Sequence, residues 1–353
     1  MKGRPDAMMQ DSLEPNPRTE HRMLNPESLK EQIKPLRFPL EAQGLNACQN
    51  PDIREYLNFY GIDFDTGSAD VSHFMGSINS YDYKISCHLF QKKNAKGTFF
   101  LLHGYYDHVG LYARIIRFLL EQNFNVLAYD LPGHGLSSGK SATIPDFSVY
   151  TLILEDILTH CEGHLPKPWH AYGQSTGCAI LTDCLINREA HQKPSPFQQV
   201  VLSAPLVRPW MWSLGRLQLQ LAKLFITQLP RNYTENSRKK SFLELSHNDP
   251  LSPNILPTQW VLAMDRWIRH IESSKIKSPV SPLIVQGTFD RTVDAKHNIS
   301  VLEKRYTQPS VYYLEDARHH LPNELDETID DYLNWLTSKL KAEKHFSQPD
   351  SDR

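Results

Sequence analysis

The feature that most constrains this chain is a Gly-x-Ser-x-Gly sequence between a strand pattern and a helix pattern. Residues 169–174 form a short strand-like run, Gly173-Gln174-Ser175-Thr176-Gly177 spans the turn, and residues 178–186 have a helical apolar pattern. So tight a turn strains the backbone of the serine and exposes its hydroxyl at the end of the strand. Glycines two positions to either side avoid collisions with neighbouring backbone. The setting predicts a nucleophile elbow with Ser175 as the nucleophile.

Strand and helix patterns alternate on both sides of this turn. Apolar runs typical of buried central strands occupy residues 98–102, 125–129, 199–203, 282–286 and 310–314. Residues 72–91 alternate like an antiparallel pair, and helix patterns occupy 51–60, 111–119, 147–161 and 324–340. This alternation predicts an α/β fold, in which a mostly parallel central sheet is covered by helices on both faces.

The alternation stops between residues 206 and 277, a segment rich in tryptophan and leucine. We interpret it as a helical cap over the carboxyl ends of the strands, where α/β sheets bind ligands. Trp210, Trp212 and Leu217 are its expected substrate-binding residues. Two alternatives remain for these apolar side chains: the segment is a helical subdomain with its own core, or the side chains dock peripherally on a bilayer.

These patterns divide the chain into five segments. Residues 1–50 are expected to be a flexible N-terminal extension, 51–205 the first part of the α/β core, 206–279 the cap, 280–341 the second part of the core, and 342–353 a flexible tail. The length of 353 residues is enough to bury a sizeable core.

Composition excludes several classes of function. The net charge of −2 predicts neither a nucleic-acid partner nor an anionic membrane surface. The five cysteines are scattered without a CxxC pair, which favours reduced thiols and a cytoplasmic location. The N-terminus has no apolar signal region, and no run approaches the length of a membrane span.

The sequence also indicates no metal and no cofactor. Asp130 and His134 are close in sequence, but no third ligand stands at a suitable spacing. Neither a phosphate-binding loop nor a dinucleotide fingerprint is present.

A serine hydroxyl needs a base to take its proton and an acid to orient the base. In folds with this elbow, the acid follows the serine along the chain and the histidine follows the acid. Asp290 stands just after the 282–286 strand, with Asp294 as the alternative acid. His319 and His320 both follow the last strand, so the residues alone leave the base open between them.

An oxyanion hole needs two backbone N–H groups directed at the developing negative charge. One is expected from Thr176, the residue after the nucleophile. The other is expected from Tyr105, in the loop after the strand that ends in His103-Gly104.

Motifs spread over about residues 72 to 340 carry a resemblance to a known family. They are His103-Gly104 with Asp107-His108 and Tyr112, Asp130-x-x-Gly133-x-Gly135-x-Ser137, the elbow, Asp249-Pro250-Leu251, Gly287-x-x-Asp290, and Ala317-Arg318-His319-x-Leu321-x-Asn323-Glu324. The chain resembles α/β-hydrolases of the monoacylglycerol lipase and lysophospholipase branch, also grouped with serine aminopeptidase-like hydrolases.

The resemblance implies an α/β-hydrolase fold and identifies His319 as the base, with His320 as its neighbour. It further implies a serine ester hydrolase that cleaves a small-molecule lipid ester, a monoacylglycerol or a lysophospholipid, through Ser175, His319 and Asp290. The chain departs from the family at Asp316, where glycine is usual, and at Cys178, where a second glycine is common. Neither departure removes a catalytic group.

Two other functions remain open. An aminopeptidase or amidase would use the same triad, but it would need an acidic group in the cap to hold the free amine of its substrate. Glu235, Glu244 and Asp249 are the candidates. The chain could also be a non-catalytic binding module, although candidates for all three triad roles argue against it. Enzymes of this fold with an aspartate nucleophile are excluded by Ser175.

Overall fold

The computed structural model describes residues 24–40, 50–66, 68–222 and 225–342. The predicted N-terminal extension falls outside them at residues 1–23 and 41–49, which include Cys48, and the predicted tail falls outside at residues 343–353. The other four cysteines are buried as free thiols.

Eight strands form the central sheet, and two short strands pair in the cap. In chain order the strands are β1 Val71–Ser80, β2 Tyr83–Lys92, β3 Thr98–Leu102, β4 Asn125–Tyr129, β5 Trp169–Gln174, β6 Gln199–Ser203, β7 Gln228–Pro230, β8 Ile255–Pro257, β9 Leu283–Gly287 and β10 Ser310–Leu314. The sheet order is β1-β2-β4-β3-β5-β6-β9-β10. The β1–β2 and β2–β4 pairs are antiparallel and the remaining pairs of this sheet are parallel, which confirms the predicted α/β-hydrolase architecture.

Helices cover both faces of this sheet, and three more lie in the segment between β6 and β9. In chain order the helices of the described residues are α1 Pro26–Gln32, α2 Pro51–Tyr60, α3 Ala113–Glu121, α4 Ser148–Cys161, α5 Thr176–Ala190, α6 Trp212–Ala222, α7 Lys240–Asn248, α8 Thr258–Ser273, α9 Ala295–Arg305 and α10 Asp326–Ala342. Successive side chains of a strand point to opposite faces. In β3, Phe100 and Leu102 accordingly join the core under α4 and α5, while Phe99 and Leu101 join the core under α3 and α10.

The segment between β6 and β9 contains α6, β7, α7, β8 and α8. Trp260, Met264 and Trp267 of α8 are buried in the same core as α4 and α5, so α8 fastens this segment to the body of the protein. None of the helices formed by the described residues has the length and hydropathy needed to cross a bilayer.

A buried polar tether joins α2, the loop after β3 and the segment after α7. The Tyr60 hydroxyl donates to Asp249 Oδ1 at 2.7 Å, and His108 Nε2 lies 2.9 Å from Asp249 Oδ2. The Leu251 N–H also donates to Asp249 Oδ1, at 2.8 Å. A buried carboxylate is tolerated only when it is fully hydrogen-bonded, and here its partners come from three separate parts of the chain.

Candidate active site

The elbow has the strained geometry that its sequence predicts. Ser175 lies between β5 and α5 with φ 51° and ψ −107°, a region that non-glycine residues rarely adopt. A Cβ on Gly177 would stand 2.2 Å from the Leu102 carbonyl oxygen, and one on Gly173 would stand 2.7 Å from the Cys178 nitrogen. Glycine is therefore required at both positions by close backbone approach.

Asp290 and His319 are brought together by the turns after β9 and β10. His319 Nδ1 lies 2.8 Å from Asp290 Oδ2. The other carboxylate oxygen accepts from the backbone N–H groups of Thr292 at 2.8 Å and Val293 at 3.1 Å. Since Nδ1 faces a carboxylate, it carries the proton and Nε2 is left as the basic nitrogen.

The Asp290 carboxyl group stays ionised in this setting. Burial raises its pKa, but His319 and the backbone N–H groups of Thr292 and Val293 together lower it by more, so the pKa lies below its ordinary value. The Gln286 amide adds a hydrogen bond to Oδ2 at 3.0 Å. The alternative acid, Asp294, instead caps α9 by accepting from the His297 N–H at 3.2 Å.

Ser175 and His319 line one cavity at the end of the strands. The Gln174 amide donates to the His319 carbonyl at 2.8 Å and so ties the elbow to the histidine loop. No hydrogen bond joins Ser175 Oγ to His319 among the contacts of the described residues. Hydrogen bonds of this kind commonly tighten only when a substrate is bound.

The Tyr105 and Thr176 backbones border the same cavity. Within the described parts of the chain, neither N–H group has an intramolecular acceptor. The Tyr105 side chain is held by two contacts: its ring stacks on Trp260 at 3.7 Å between centroids, and its hydroxyl donates to the Ala142 carbonyl at 2.7 Å. Thr176 opens α5, whose N-terminal dipole end favours a negative charge.

A second carboxylate–imidazole pair stands beside the first. His320 Nε2 lies 3.2 Å from Asp107 Oδ2, and the Tyr112 hydroxyl donates to the same oxygen at 2.7 Å. The Tyr112 hydroxyl in turn accepts from the Gly104 N–H at 2.9 Å. This chain of contacts links the loop that carries Tyr105 to the loop that carries His319.

Replacing Asp107 with asparagine is expected to lower the free energy of unfolding by about 2 kcal/mol at pH 7, because buried polar groups lose a charged acceptor. Burial raises the pKa of Asp107, but His320 and the Tyr112 hydroxyl lower it by more, so it lies well below the ordinary 3.8. The stabilisation is therefore complete above 3.8 and is lost as the pH falls through the folded-state pKa. Urea denaturation over a pH series should show the difference shrinking below about pH 4.

Asp326→Asn is the matched control, because Asp326 is exposed while pairing with Arg114 and Lys239. Its unfolding free energy should change by less than about 0.5 kcal/mol. Equal losses in the two variants, or a loss in Asp107→Asn that does not depend on pH, would contradict this account of the pair.

The departure at Asp316 has a structural explanation. Asp316 has φ 55°, in the left-handed region that glycine adopts freely and aspartate tolerates better than most residues. Its N–H donates to the Thr288 hydroxyl at 2.9 Å, which helps to hold the turn before the histidine loop. At the other departure, Cys178 is buried and its thiol contacts the Gly173 carbonyl at 3.0 Å.

The cavity over Ser175 has a volume of about 650 Å³ and is lined mainly by cap residues. Trp210 and Trp212 belong to its lining, as the sequence predicts. Leu217, whose side chain is 60% exposed, is not part of the lining. The expectation for Leu217 is corrected: α6 turns Trp212 toward the core and leaves Leu217 on its outer side.

Several residues of the site were not selected by sequence reasoning as functional. Gln286, whose amide holds Asp290, could have been noticed as the only amide in an apolar strand. Asp107 stands within a family motif and His320 stands beside the base, but nothing in the sequence indicates that these two side chains pair. The two arginines that line the cavity, Arg231 and Arg291, carry no sequence signal that distinguishes them from surface charges.

Comparisons with known proteins show the family to which the chain belongs. The hydrolase family described as serine aminopeptidase, S33, matches residues 93–326. The monoglyceride lipase of Mus musculus is 27% identical over 290 residues, which cover 77% of this chain and 92% of that protein. The monoglyceride lipase of Homo sapiens is 26% identical over 299 residues, which cover 79% and 94% respectively.

Solved structures support the same fold. A soluble variant of monoglyceride lipase from Saccharomyces cerevisiae, in complex with a substrate analog, superposes with a TM-score of 0.65 at 17% identity, covering 76% of this chain and 94% of that one. The monoacylglycerol lipase of Paleococcus ferrophilus gives 0.61 at 18% identity, covering 74% and 99%. At these identities the likeness concerns the fold alone.

Proposed function

The chain belongs to the serine aminopeptidase S33 family of hydrolases, and we propose that it cleaves monoacylglycerols or lysophospholipids through Ser175, His319 and Asp290. It is a serine ester hydrolase related to monoglyceride lipases. The finer assignment, of substrate class and of the three catalytic roles, rests on the geometry and charge of the cavity.

In the proposed reaction, Ser175 Oγ attacks the ester carbonyl carbon while His319 Nε2 takes its proton. The Tyr105 and Thr176 N–H groups hold the oxyanion of the tetrahedral intermediate. His319 then gives the proton to the leaving alcohol oxygen, and the acyl group remains on Ser175. A water molecule, deprotonated by His319 Nε2, then attacks the acyl carbon. The bond from this carbon to Ser175 Oγ breaks, His319 returns the proton to Oγ, and the fatty acid is released. Asp290 keeps His319 in the required tautomer throughout.

The observation that carries the substrate class is the absence of a free acid from the described lining of the cavity. Asp107 is its one carboxylate, and it is already bound by His320 and Tyr112. Of the acids proposed for an amine site, Glu244 and Asp249 do not line it. The third candidate, Glu235, lines the smaller pocket beside His319 but is paired with Arg318 at 2.7 Å. An aminopeptidase would therefore find no unpaired acid among the described lining residues for the ammonium group of its substrate, and these facts favour the ester over the peptide.

Aromatic and aliphatic side chains fill most of the remaining lining, which suits an acyl chain. They include Leu206, Trp212, Leu256, Trp260, Val261 and Met264. Several large apolar side chains of the lining are also exposed to solvent, among them Trp210 at 43%, Met211 at 61% and Leu229 at 47%. Exposed apolar groups beside a lipid-sized cavity support the proposal that substrate is collected from a lipid surface.

Activity should rise with acyl length across a series of soluble monoacylglycerols. Each added CH₂ that is buried in the cavity is worth about 0.8 kcal/mol, so kcat/KM should increase roughly fourfold per carbon until the cavity is full. Trp212→Ala should flatten this dependence, because the side chain lines the cavity and is 8% exposed. Kinetics below the critical micelle concentration measure the effect without a lipid surface.

Leu217→Ala is the control, since this α6 residue lies outside the cavity lining. It should keep the wild-type dependence on length. A wild-type enzyme that is indifferent to acyl length, or that cleaves aminoacyl amides faster than esters, would refute the lipid assignment.

A further inference from the structure

A smaller pocket of about 230 Å³ adjoins the main cavity beside His319, and we call it the side pocket. The residues that line it are of polar or charged type apart from Phe289, although their apolar atoms form much of the surface. The residues that it shares with the main cavity are Thr234, Asn236, Arg291, Thr292 and His319. The two cavities therefore lie side by side at His319, and the side pocket is partly open to solvent at Phe289 and Arg291.

The position of His319 makes the side pocket the place for the leaving alcohol. Nδ1 of His319 is held by Asp290 at 2.8 Å, so protonation of the leaving oxygen falls to Nε2. The alcohol fragment must therefore lie against the imidazole ring when the ester bond breaks. His319 lines the side pocket as well as the main cavity, whereas the apolar residues that suit the acyl chain line the main cavity alone.

The side pocket has one positive charge that no protein carboxylate neutralises. Arg318 donates to Glu235 Oε2 at 2.7 Å, so these two lining charges cancel. Arg291, in contrast, has no carboxylate partner among the described residues. Its guanidinium lies over the rings of Trp210 and Phe289, at 4.8 and 5.3 Å from their centroids.

A second arginine, in the main cavity, also contacts two aromatic rings and has no carboxylate partner among the described residues. Arg231 lies over the rings of Tyr106 and Tyr233, at 4.4 and 4.5 Å, and donates to the Pro253 carbonyl at 3.2 Å. The two adjoining cavities therefore contain two arginines without a carboxylate partner, while their buried acid Asp107 is already bound by His320 and Tyr112. Unpaired cations of this kind repel an ammonium group and attract an anion.

We propose that the side pocket binds a phosphate group carried by the leaving alcohol, with Arg291 as its main ligand. The planar guanidinium, which contacts two aromatic rings, presents N–H donors that match phosphate oxygens. The Thr234 and Thr292 hydroxyls and the Asn236 amide line the same space and supply further donors. The inference rests on the proposed function. It specifies the substrate further: the enzyme should prefer phosphate-bearing monoacyl esters to neutral monoacylglycerols of equal chain length.

The test compares octanoyl glycerol with octanoyl glycerol 3-phosphate, both kept as soluble monomers. The ratio of kcat/KM for the phosphorylated ester to that for the neutral ester should fall about tenfold in Arg291→Gln. Arg291→Lys should recover part of the ratio, because lysine restores the positive charge but lacks the paired N–H donors of the guanidinium group. Lys304→Gln, an exposed residue of α9 with the same change in net charge, should keep the wild-type ratio.

A second arm uses glycerol 3-phosphate and inorganic phosphate as inhibitors of neutral ester hydrolysis. This inhibition experiment supports the proposal if glycerol 3-phosphate competes with the neutral ester in the wild type and inhibits Arg291→Gln less strongly. The proposal is overturned if Arg291→Gln keeps the wild-type ratio of kcat/KM between the two esters. It is also overturned if inorganic phosphate inhibits the wild type but the wild type shows no preference between the two esters. Failure of the wild type to cleave either ester would instead refute the proposed function, which separates the two failures.

Discussion

A Ser175→Ala variant should hydrolyse esters on the order of 10⁴-fold more slowly than the wild type, or slower still. The methyl group keeps the elbow backbone but removes the only atom placed to form the acyl-enzyme. The Tyr105 and Thr176 N–H groups remain, so the residual rate reports their contribution and that of substrate binding alone. Steady-state kcat for a soluble octanoyl ester measures the loss directly.

Covalent labelling gives an independent readout of the same variant. A fluorophosphonate probe should label the wild type at one serine and leave Ser175→Ala unlabelled. Ser338→Ala, which removes an exposed hydroxyl on α10, should label and turn over like the wild type. If Ser175→Ala kept most of the hydrolysis or the labelling, the assignment of the nucleophile would be wrong.

An Asp290→Asn variant should lose on the order of 10⁴-fold in kcat. The asparagine amide can donate to His319 Nδ1, which would move the imidazole proton to Nε2 and leave no base facing Ser175. The backbone donors Thr292 and Val293 still bind the amide oxygen, so the loop is expected to keep its shape. The measurement is kcat, with thermal unfolding as the check that the variant is folded.

Asp294→Asn provides a matched control four residues along the same turn. Asp294 caps α9, and asparagine caps helices about as well as aspartate, so activity and stability should stay near wild type. The pair of variants also distinguishes the two acids that the sequence leaves open. A large loss in Asp294→Asn together with a small loss in Asp290→Asn would reverse the assignment.

The elements of this fold were predictable because their patterns are local. A strand buried on both faces reads as an unbroken apolar run, and β3 begins and ends where the run does. The elbow was predictable for a similar reason: strand, tight turn and helix are contiguous in the chain. Asp290 followed from its place after a late strand, whereas the choice of His319 over His320 required the resemblance to a family.

What the sequence could not supply are contacts between distant segments. His320 looked like a spare neighbour of His319, yet it reaches Asp107, more than two hundred residues earlier in the chain. Leu217 was expected to contact substrate because it shares a leucine-rich segment with Trp212. Which side of α6 faces the cavity depends on how the cap packs on α8, and no local pattern encodes that packing.

The buried tether formed by Tyr60, His108 and Asp249 bears on how this enzyme can be dissected. The stretch by which it is recognised as a family member, residues 93–326, omits Tyr60, the β1–β2 pair and nearly all of α10. In a fragment trimmed to that stretch, Asp249 would lose its hydrogen bond from the Tyr60 hydroxyl, and the edge of β4 that pairs with β2 would be exposed. The family match is thus shorter than the set of elements that pack together, and a fragment made for expression should include Tyr60, the β1–β2 pair and α10.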